Sequence, residues 1–318
     1  MKGSAVAEQN RNNDFGKVAV VMGGWSSERE VSLMSGQAVF DALASAGIDV
    51  HPVDAGRDIA RMLLAGGFER AFLILHGRGG EDGIVQAVLE LAGIPYTGSG
   101  VLASALAMDK WRTKQFLQQC GIPTPVALLV DSPDDARRAA DTIGYPVVVK
   151  PSTEGSSIGI TMVDDAAGID AAWELAARHG EVMVEQKMRG REVTAAILGD
   201  RALPLVSMRA ASGFYDYEAK YHADDTVYEC PADLAPELTA RIQRLALEAY
   251  RLLGCSGWGR VDFMLDANDD PQFIECNTAP GMTGHSLVPQ AAAEAGIDFT
   301  ELCLEILRGS LGEKERAA

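Results

Sequence analysis

The 318-residue chain has no apolar run suited to crossing a bilayer. Its longest uncharged stretch, residues 91–108, is interrupted by Pro95, Gly98, Ser99 and Gly100 and reads as a strand, a turn and a buried helix. The polar start, with Asn10, Asn12 and Asn13, lacks the apolar centre of a signal peptide, and residues 1–16 are expected to be a disordered extension. Basic residues are few: 28 Lys and Arg against 45 Asp and Glu, a formal net charge of −17. Such a balance repels phosphate backbones and anionic lipid, which argues against nucleic-acid and membrane-surface binding. Five cysteines (Cys120, Cys230, Cys255, Cys276 and Cys303) are an odd number without CxxC spacing, so a disulfide framework or zinc site is not expected. Reduced thiols in a soluble, cytoplasmic protein fit better. No GxxxxGK[ST] loop, internal repeat or low-complexity tract is present.

The length implies two or three domains at roughly 100–200 residues each. From Lys17 to Met108, strand-like runs at 18–22, 48–53, 71–75 and 94–97 alternate with helical patterns, which implies a parallel sheet covered by helices. Ser27-x-x-Glu30 has capping-box spacing at the first helix. Residues 109–192 read as a compact α+β unit. Residues 193–318 add further strands, a long polar, aromatic segment at 209–229 with the length of a lid, and a helical end.

Two motifs fail on context. Gly98-Ser-Gly-Val-Leu-Ala103 fits a relaxed dinucleotide fingerprint, but the acidic residue required about 20 positions on is replaced by Gln118 or Gln119 within a helix. Gly155-Ser-Ser-Ile-Gly159 fits GxSxG, yet the residues after it are β-rich, whereas a nucleophile elbow leads into a helix.

The strongest chemistry lies at Trp258–Phe263 and Phe273–Asn277, two strand patterns flanking a turn-rich segment. Alternation puts Arg260 and Asp262 on one face and Glu275 and Asn277 on one face of the partner. A hairpin pairing 265 with 272 sets 262 opposite 275. Two carboxylates and an amide oxygen form a hard-oxygen set suited to Mg²⁺. A cross-strand salt bridge of Arg260 with Glu275 fits the same pattern, and both readings stay open at this level. Residues 150–157 offer a lysine, hydroxyls and backbone N–H groups as a phosphate cover. Lys110, Glu28 and the glycine-rich loop 76–83 fall where a cleft should open.

Taken in order, Gly-Gly-Trp-Ser-Ser-Glu-Arg-Glu-Val-Ser (23–32), His-Gly-Arg-Gly-Gly-Glu-Asp-Gly (76–83), Tyr-Thr-Gly-Ser-Gly (96–100), Met-Asp-Lys (108–110), Lys-Pro-Ser-x-Glu-Gly-Ser-Ser-x-Gly (150–159), Phe-Tyr-Asp-Tyr-Glu-Ala-Lys-Tyr (214–221), Gly-Trp-Gly-Arg-Val-Asp (257–262) and Glu-Cys-Asn-Thr-Ala-Pro-Gly-Met-Thr-Gly-His-Ser-Leu (275–287) resemble the D-alanine–D-alanine ligases of the ATP-grasp superfamily. The resemblance spans about residues 17–308. It implies an α/β ATP-grasp fold of three domains, at 17–108, 109–192 and 193–318.

By that resemblance Asp262, Glu275 and Asn277 match ligands of Mg²⁺ or Mn²⁺, with two ions expected. Lys110, Lys150 and Lys220 match lysines at the ATP phosphates, under a loop bearing Ser156 and Ser157. Glu185, Gln186 and Met188 match the adenine hinge and Glu192 the ribose ligand; Gln186 departs from the family's usual lysine. Glu28 matches the acceptor of the first D-alanine's ammonium and forms a triad with Ser156 and Tyr221. His76 neighbours that substrate. Arg260 and Gly281 face the reacting carboxylate, and Ser286 and Leu287 the second D-alanine's carboxylate.

The implied reaction is ATP-dependent joining of two D-alanines through an acylphosphate, for peptidoglycan precursors, by a cytoplasmic homodimer. Tyr221 stands where relatives making D-alanine–D-lactate usually have Phe, so a dipeptide product is expected. An ATP-grasp ligase for other acids and a noncatalytic nucleotide-binding regulator are the competing readings.

Overall fold

The chain begins its fold on a strand with no charged residue, Val18–Gly23 (β1), which is buried throughout. A strand buried on both faces needs helices over each, and crossover helices make its neighbours parallel. Val50–Ala55 (β2) and Arg70–Leu73 (β3) pair with β1 in parallel, in the order β2-β1-β3. Arg29–Ser45 (α1) and Ile59–Gly66 (α2) supply the crossovers. Strand order reverses at β1, and the loops leaving the carboxyl ends of β1 and β3 border the crevice there. The computed structural model describes residues 13–209 and 227–311.

Ile84–Ala92 (α3), Val101–Met108 (α4) and Lys110–Gln119 (α5) follow. A four-stranded antiparallel sheet comes next, ordered β4-β7-β5-β6, from Ala127–Val130 (β4), Val147–Pro151 (β5), Thr161–Val163 (β6) and Val182–Gln186 (β7). Pro133–Ile143 (α6) and Ile169–Ala177 (α7) pack on it. The third sheet runs β11-β10-β8-β12-β13, with Arg201–Ala202 (β9) paired to β8. Its other members are Glu192–Leu198 (β8), Val206–Arg209 (β10), Val227–Glu229 (β11), Trp258–Leu265 (β12) and Pro271–Asn277 (β13). Pro236–Leu252 (α8) covers one face, and Leu287–Glu294 (α9) and Phe299–Gly309 (α10) close the described chain.

The cores do not follow chain order. Ala103, Ala107 and Leu117, from α4 and α5, pack with Val193, Phe263 and Phe273 of the third sheet. Leu302 and Ile306 of α10 return to pack with Val18, Val20 and Leu43. Trp258, at the start of β12, is tilted against Phe72 of β3 at 6.3 Å between ring centroids, tying the first sheet to the third.

Several expectations change. The proposed extension through residue 16 ends earlier, because Asn13–Phe15 form a 3-10 turn and Phe15 is buried in the core; residues 1–12 lie outside the described residues. The strand expected at 94–97 is a single parallel bridge, Ala71 to Tyr96, because the tight turn at Gly98 leads directly into α4. The Ser27–Glu30 capping box does not form. Glu28 is the N-cap residue of α1 with no side-chain cap bond. Its side chain is drawn into the crevice instead, and Ser26 Oγ accepts its backbone N–H at 3.2 Å.

If α10 belongs to the first core, Leu302→Ala, fully buried, should cost about 2–5 kcal/mol in urea unfolding. Leu91→Ala, at a side chain 90% exposed, should stay within about 0.5 kcal/mol.

Candidate active site

The site is built around the β12–β13 hairpin. Leu265 pairs with Pro271 and Phe263 with Phe273, one residue out of the register expected from the sequence. A bulge between Asp262 and Phe263, leaving Ile274 unpaired, restores the offset and sets Asp262 against Glu275 and Arg260 against Asn277. Cys276, between the two site residues of β13, is buried in the core. Asp262 is only 3% exposed, a position that a carboxylate tolerates when its lone pairs are filled. Arg260 forks onto it, Nε donating to Oδ1 at 2.8 Å and Nη2 to Oδ2 at 2.7 Å. Thr194, its neighbour on β8, also donates to Oδ1, and Asn277 Nδ2 donates to Oδ2 at 3.1 Å.

Lys110 approaches from the N-terminus of α5. Its ammonium lies 3.1 Å from Glu275 Oε2 and donates to the carbonyl of Glu154 at 2.6 Å. Burial would lower its pKa, but Glu275 outweighs that and holds it raised. Asp109 caps the helix by accepting the Arg112 N–H at 2.9 Å, and Ser152 Oγ donates to the same carboxylate oxygen at 2.7 Å. Helix start and glycine loop are thereby fastened together.

That loop folds onto the start of α1. Ser156 Oγ donates to Glu28 Oε1 at 2.5 Å. Ser156 and Ser157 both take left-handed backbone angles, φ 48° and 60°, uncommon without glycine and therefore strained. A Cβ at Gly155 would stand 2.8 Å from Glu28 Oε2, so any side chain there would displace the Glu28 carboxylate. The chain continues into β6 rather than a helix, which excludes a nucleophile elbow.

Below Glu28, the loop after β3 contributes two titratable groups, His76 buried and Glu81 half-buried. His76 has Nδ1 2.8 Å from the carbonyl of Ala279, and burial lowers its pKa despite the pull of Glu28. The carbonyl accepts, so Nδ1 carries the proton. Glu81 accepts the Gly77 N–H at 2.7 Å, while burial and then Glu28 push its carboxyl up to about 8. Ser286 Oγ accepts the Thr283 N–H at 2.9 Å at the start of α9.

A cavity of about 390 Å³ lies among these groups. Glu28, His76, Lys110, Ser156 and Glu192 stand on its wall. So do Arg260, Glu275, Asn277, Gly281, Ser286 and Leu287. Asp262 sits behind Arg260. Lys150, Ser157, Glu185, Gln186 and Met188 are not on the wall. The Glu185 carboxylate, placed at the hinge by resemblance, is buried against Lys150, 2.6 Å away, and Lys114, 2.9 Å away. Lys220 and Tyr221 lie outside the described residues.

Sequence reasoning missed Glu81, Thr194 and Lys114. Glu81 was within sight, inside the glycine-rich loop. Lys114 carries no local signal, since only the fold buries it; burial pushes its ammonium down to about 8 against the pull of Glu185.

The D-ala D-ala ligase C-terminus family model matches residues 116–308 and the N-terminus model residues 58–99. The chain belongs to the D-alanine–D-alanine ligase family. It is 57% identical over 297 residues to a D-alanine–D-alanine ligase of Nitrosospira multiformis, covering 93% of this chain and 97% of that one. One from Bordetella pertussis is 52% identical over 301 residues, covering 93% and 95%. Among solved structures, D-alanine–D-alanine ligase from Bacillus anthracis superposes with a TM-score of 0.85 at 36% identity, covering 95% of this chain and 99% of that one. The VanG D-Ala:D-Ser ligase from Enterococcus faecalis gives 0.78 at 32%, covering 92% and 98%. The chain thus has the α/β ATP-grasp fold expected from its motifs, built here on three sheets.

A carboxyl whose folded pKa lies above its unfolded value binds its proton more tightly when folded. Its stabilising contribution is full below the unfolded value and is lost as pH rises through the folded one. Glu81 should therefore erode the stability of the ligand-free protein between about pH 4.5 and about pH 8. Tm measured across that window should fall less steeply for Glu81→Gln than for the wild type; equal slopes would remove Glu81 as the cause.

Proposed function

We propose that the chain joins two D-alanine molecules into D-alanyl-D-alanine, with ATP converted to ADP and phosphate. One observation carries this reading: a carboxylate just after β1 (Glu28), a lysine at the start of α5 (Lys110) and an arginine of β12 (Arg260) share a single cavity, in a chain so similar to D-alanine–D-alanine ligases. That set of charges suits a substrate bearing an ammonium, a carboxylate and a phosphoryl donor.

In the proposed mechanism, the first D-alanine's carboxylate attacks the γ-phosphorus of ATP, the bond to the β–γ bridging oxygen breaks, ADP leaves, and the carboxylate becomes an acylphosphate. The second D-alanine's amine then adds to the acyl carbon, and phosphate leaves as the tetrahedral intermediate collapses. Neither step requires a protein nucleophile. Glu28 accepts from the first ammonium, and Arg260 with the Gly281 N–H donates to the oxygens where charge develops. Lys110 and Lys150 offset phosphoryl charge. Ser286 and the start of α9 hold the second carboxylate. His76, neutral when buried, shapes the first substrate's pocket without competing for its proton. The Ser156–Glu28 bond holds the glycine loop over the crevice, where water would hydrolyse an acylphosphate. With Glu185 committed to lysines, adenine recognition at 185–188 falls to backbone groups, and Glu192 meets the ribose.

Asp262, Glu275 and Asn277 fit a divalent cation, because their oxygens are hard donors on adjoining strands and each carboxylate is now balanced by Arg260 or Lys110. Among the described residues no cluster of three or more His, Cys, Asp and Glu forms, so the amide is needed to complete the set. Mg²⁺ or Mn²⁺ held there supplies charge neutralisation to the transferring phosphoryl group. A cytoplasmic location and a homodimer rest on family resemblance alone; no helix among the described residues is long and apolar enough to cross a membrane.

A coupled ADP-release assay across D-alanine, L-alanine, D-serine and D-lactate tests the reading. ADP release should depend on D-alanine, and D-alanine should outcompete D-lactate at neutral pH. Preferred incorporation of D-lactate or D-serine would overturn the dipeptide assignment. Asp262→Asn should lower turnover about 100-fold or more while retaining a folded circular-dichroism spectrum. Unchanged ADP release by this variant would refute the metal role.

A further inference from the structure

Three charged side chains meet beneath the glycine loop, shut off from water. Lys150 is the last residue but one of β5, Glu185 ends the buried part of β7, and Lys114 rises from the middle of α5. The Lys150 ammonium is 2.6 Å from Glu185 Oε1, and the Lys114 ammonium is 2.9 Å from Glu185 Oε2. Lys114 also donates to the backbone carbonyl of Phe273 on β13 at 2.9 Å and lies over that residue's ring. Its side chain is 1% exposed and does not reach the cavity wall.

The charge count is uneven. One carboxylate faces two ammonium groups, so the trio carries one net positive charge where burial makes uncompensated charge costly. The remaining acid nearby, Glu275, has Lys110 as its partner. Two buried lysines on one carboxylate do not form a balanced structural pair; they are an arrangement completed by an incoming anion. Among the described residues the ion pair of Lys150 is with Glu185 alone, which leaves N–H groups on its ammonium for a ligand.

Resting on the proposed placement of ATP phosphates at Lys150, we propose that Lys114 is a positioning residue for the nucleotide: it occupies the second oxygen of Glu185 and supplies the charge that keeps Lys150 from being neutralised. Glu185 alone against Lys150 would form a closed, neutral pair with little pull on a polyphosphate. With Lys114 present, Lys150 is held in place by Glu185 while the trio as a whole still attracts an anion.

Direct ADP binding by calorimetry, together with steady-state kinetics, tests this in the full-length protein. Lys114→Met makes the trio neutral and should weaken ADP binding and raise the KM for ATP by about 10- to 30-fold, the effect of one charge through a partly desolvated medium. The kcat and the KM for D-alanine should stay within about twofold, since neither substrate amino acid meets this trio. Lys114→Gln keeps a polar donor for the Phe273 carbonyl without the charge and should show the same weakening, which guards against a folding defect in the first variant. The decisive arm is Lys114→Met combined with Glu185→Gln. Its trio again carries one positive charge, so ADP affinity should recover most of the loss.

A purely structural Lys114 predicts the reverse, with the double variant no better than the single one and losses spread to D-alanine. Unchanged ADP affinity in Lys114→Met, absence of recovery in the folded double variant, or a wild-type protein that binds no nucleotide would each overturn the proposal. A wild-type protein that binds ADP with this charge dependence but releases none with D-alanine would overturn the proposed reaction and leave the role of Lys114 standing.

Discussion

The site depends on the register of two adjacent strands. Asp262 and Glu275 share a face only because one residue of β13, Ile274, is left unpaired between them and the turn. Without that bulge, the pairing of Leu265 with Pro271 would put Ile274 opposite Asp262 and turn Glu275 and Asn277 to the face now held by Cys276. A one-residue slip in a strand exchanges its faces, so the two carboxylates and the amide could not converge. The apolar side chains of both strands fix the same choice from beneath: Val261, Phe263, Phe273 and Cys276 lie in one core. Packing on one face and chemistry on the other are thus set by the same register.

The buried charges explain how a strongly acidic chain can handle anionic substrates. Electrostatic energy within a cleft depends on the charges a few ångströms away rather than on the net sum over the surface. Here cations are grouped inward: Lys110 against Glu275, Arg260 against Asp262, and Lys114 with Lys150 around Glu185. Several acids in the surplus are therefore part of the site. An acidic surface supports solubility, while the interior sets the sign of the field where substrates bind.

A few polar contacts close the glycine loop over the crevice. Ser156 on Glu28, Lys110 on the Glu154 carbonyl, and Ser152 on Asp109 connect the glycine loop to the first domain and to the start of α5. The strained backbone at Ser156 and Ser157 persists because those contacts over-determine it. The apolar cores also cross the chain's divisions, since α10 completes the first core and α4 and α5 complete the third.

Much of this was legible in local pattern. Buried strands such as Val18–Gly23 announce themselves because a run of apolar residues has few other places to go. Alternation over 258–263 and 275–277 put the site residues on one face, while the bulge that sends Phe273 to the core with Cys276 had no local signal, and the order of motifs pointed to the family. Local reasoning failed where distant groups competed. Glu28 became the N-cap residue without capping because Ser156, 128 positions later, binds its carboxylate. The run at 94–97 kept one bridge instead of a strand, and Phe15 was recruited from an apparently polar extension into the core. Lys114 could not be distinguished from a surface lysine, because its partners come from β7 and β13, 71 and 159 residues away. Sequence by itself determined which residues could carry the chemistry, since periodicity and residue type act over a few positions. Tertiary structure alone decided which of them meet, because burial and pairing of charge depend on elements that only folding brings together.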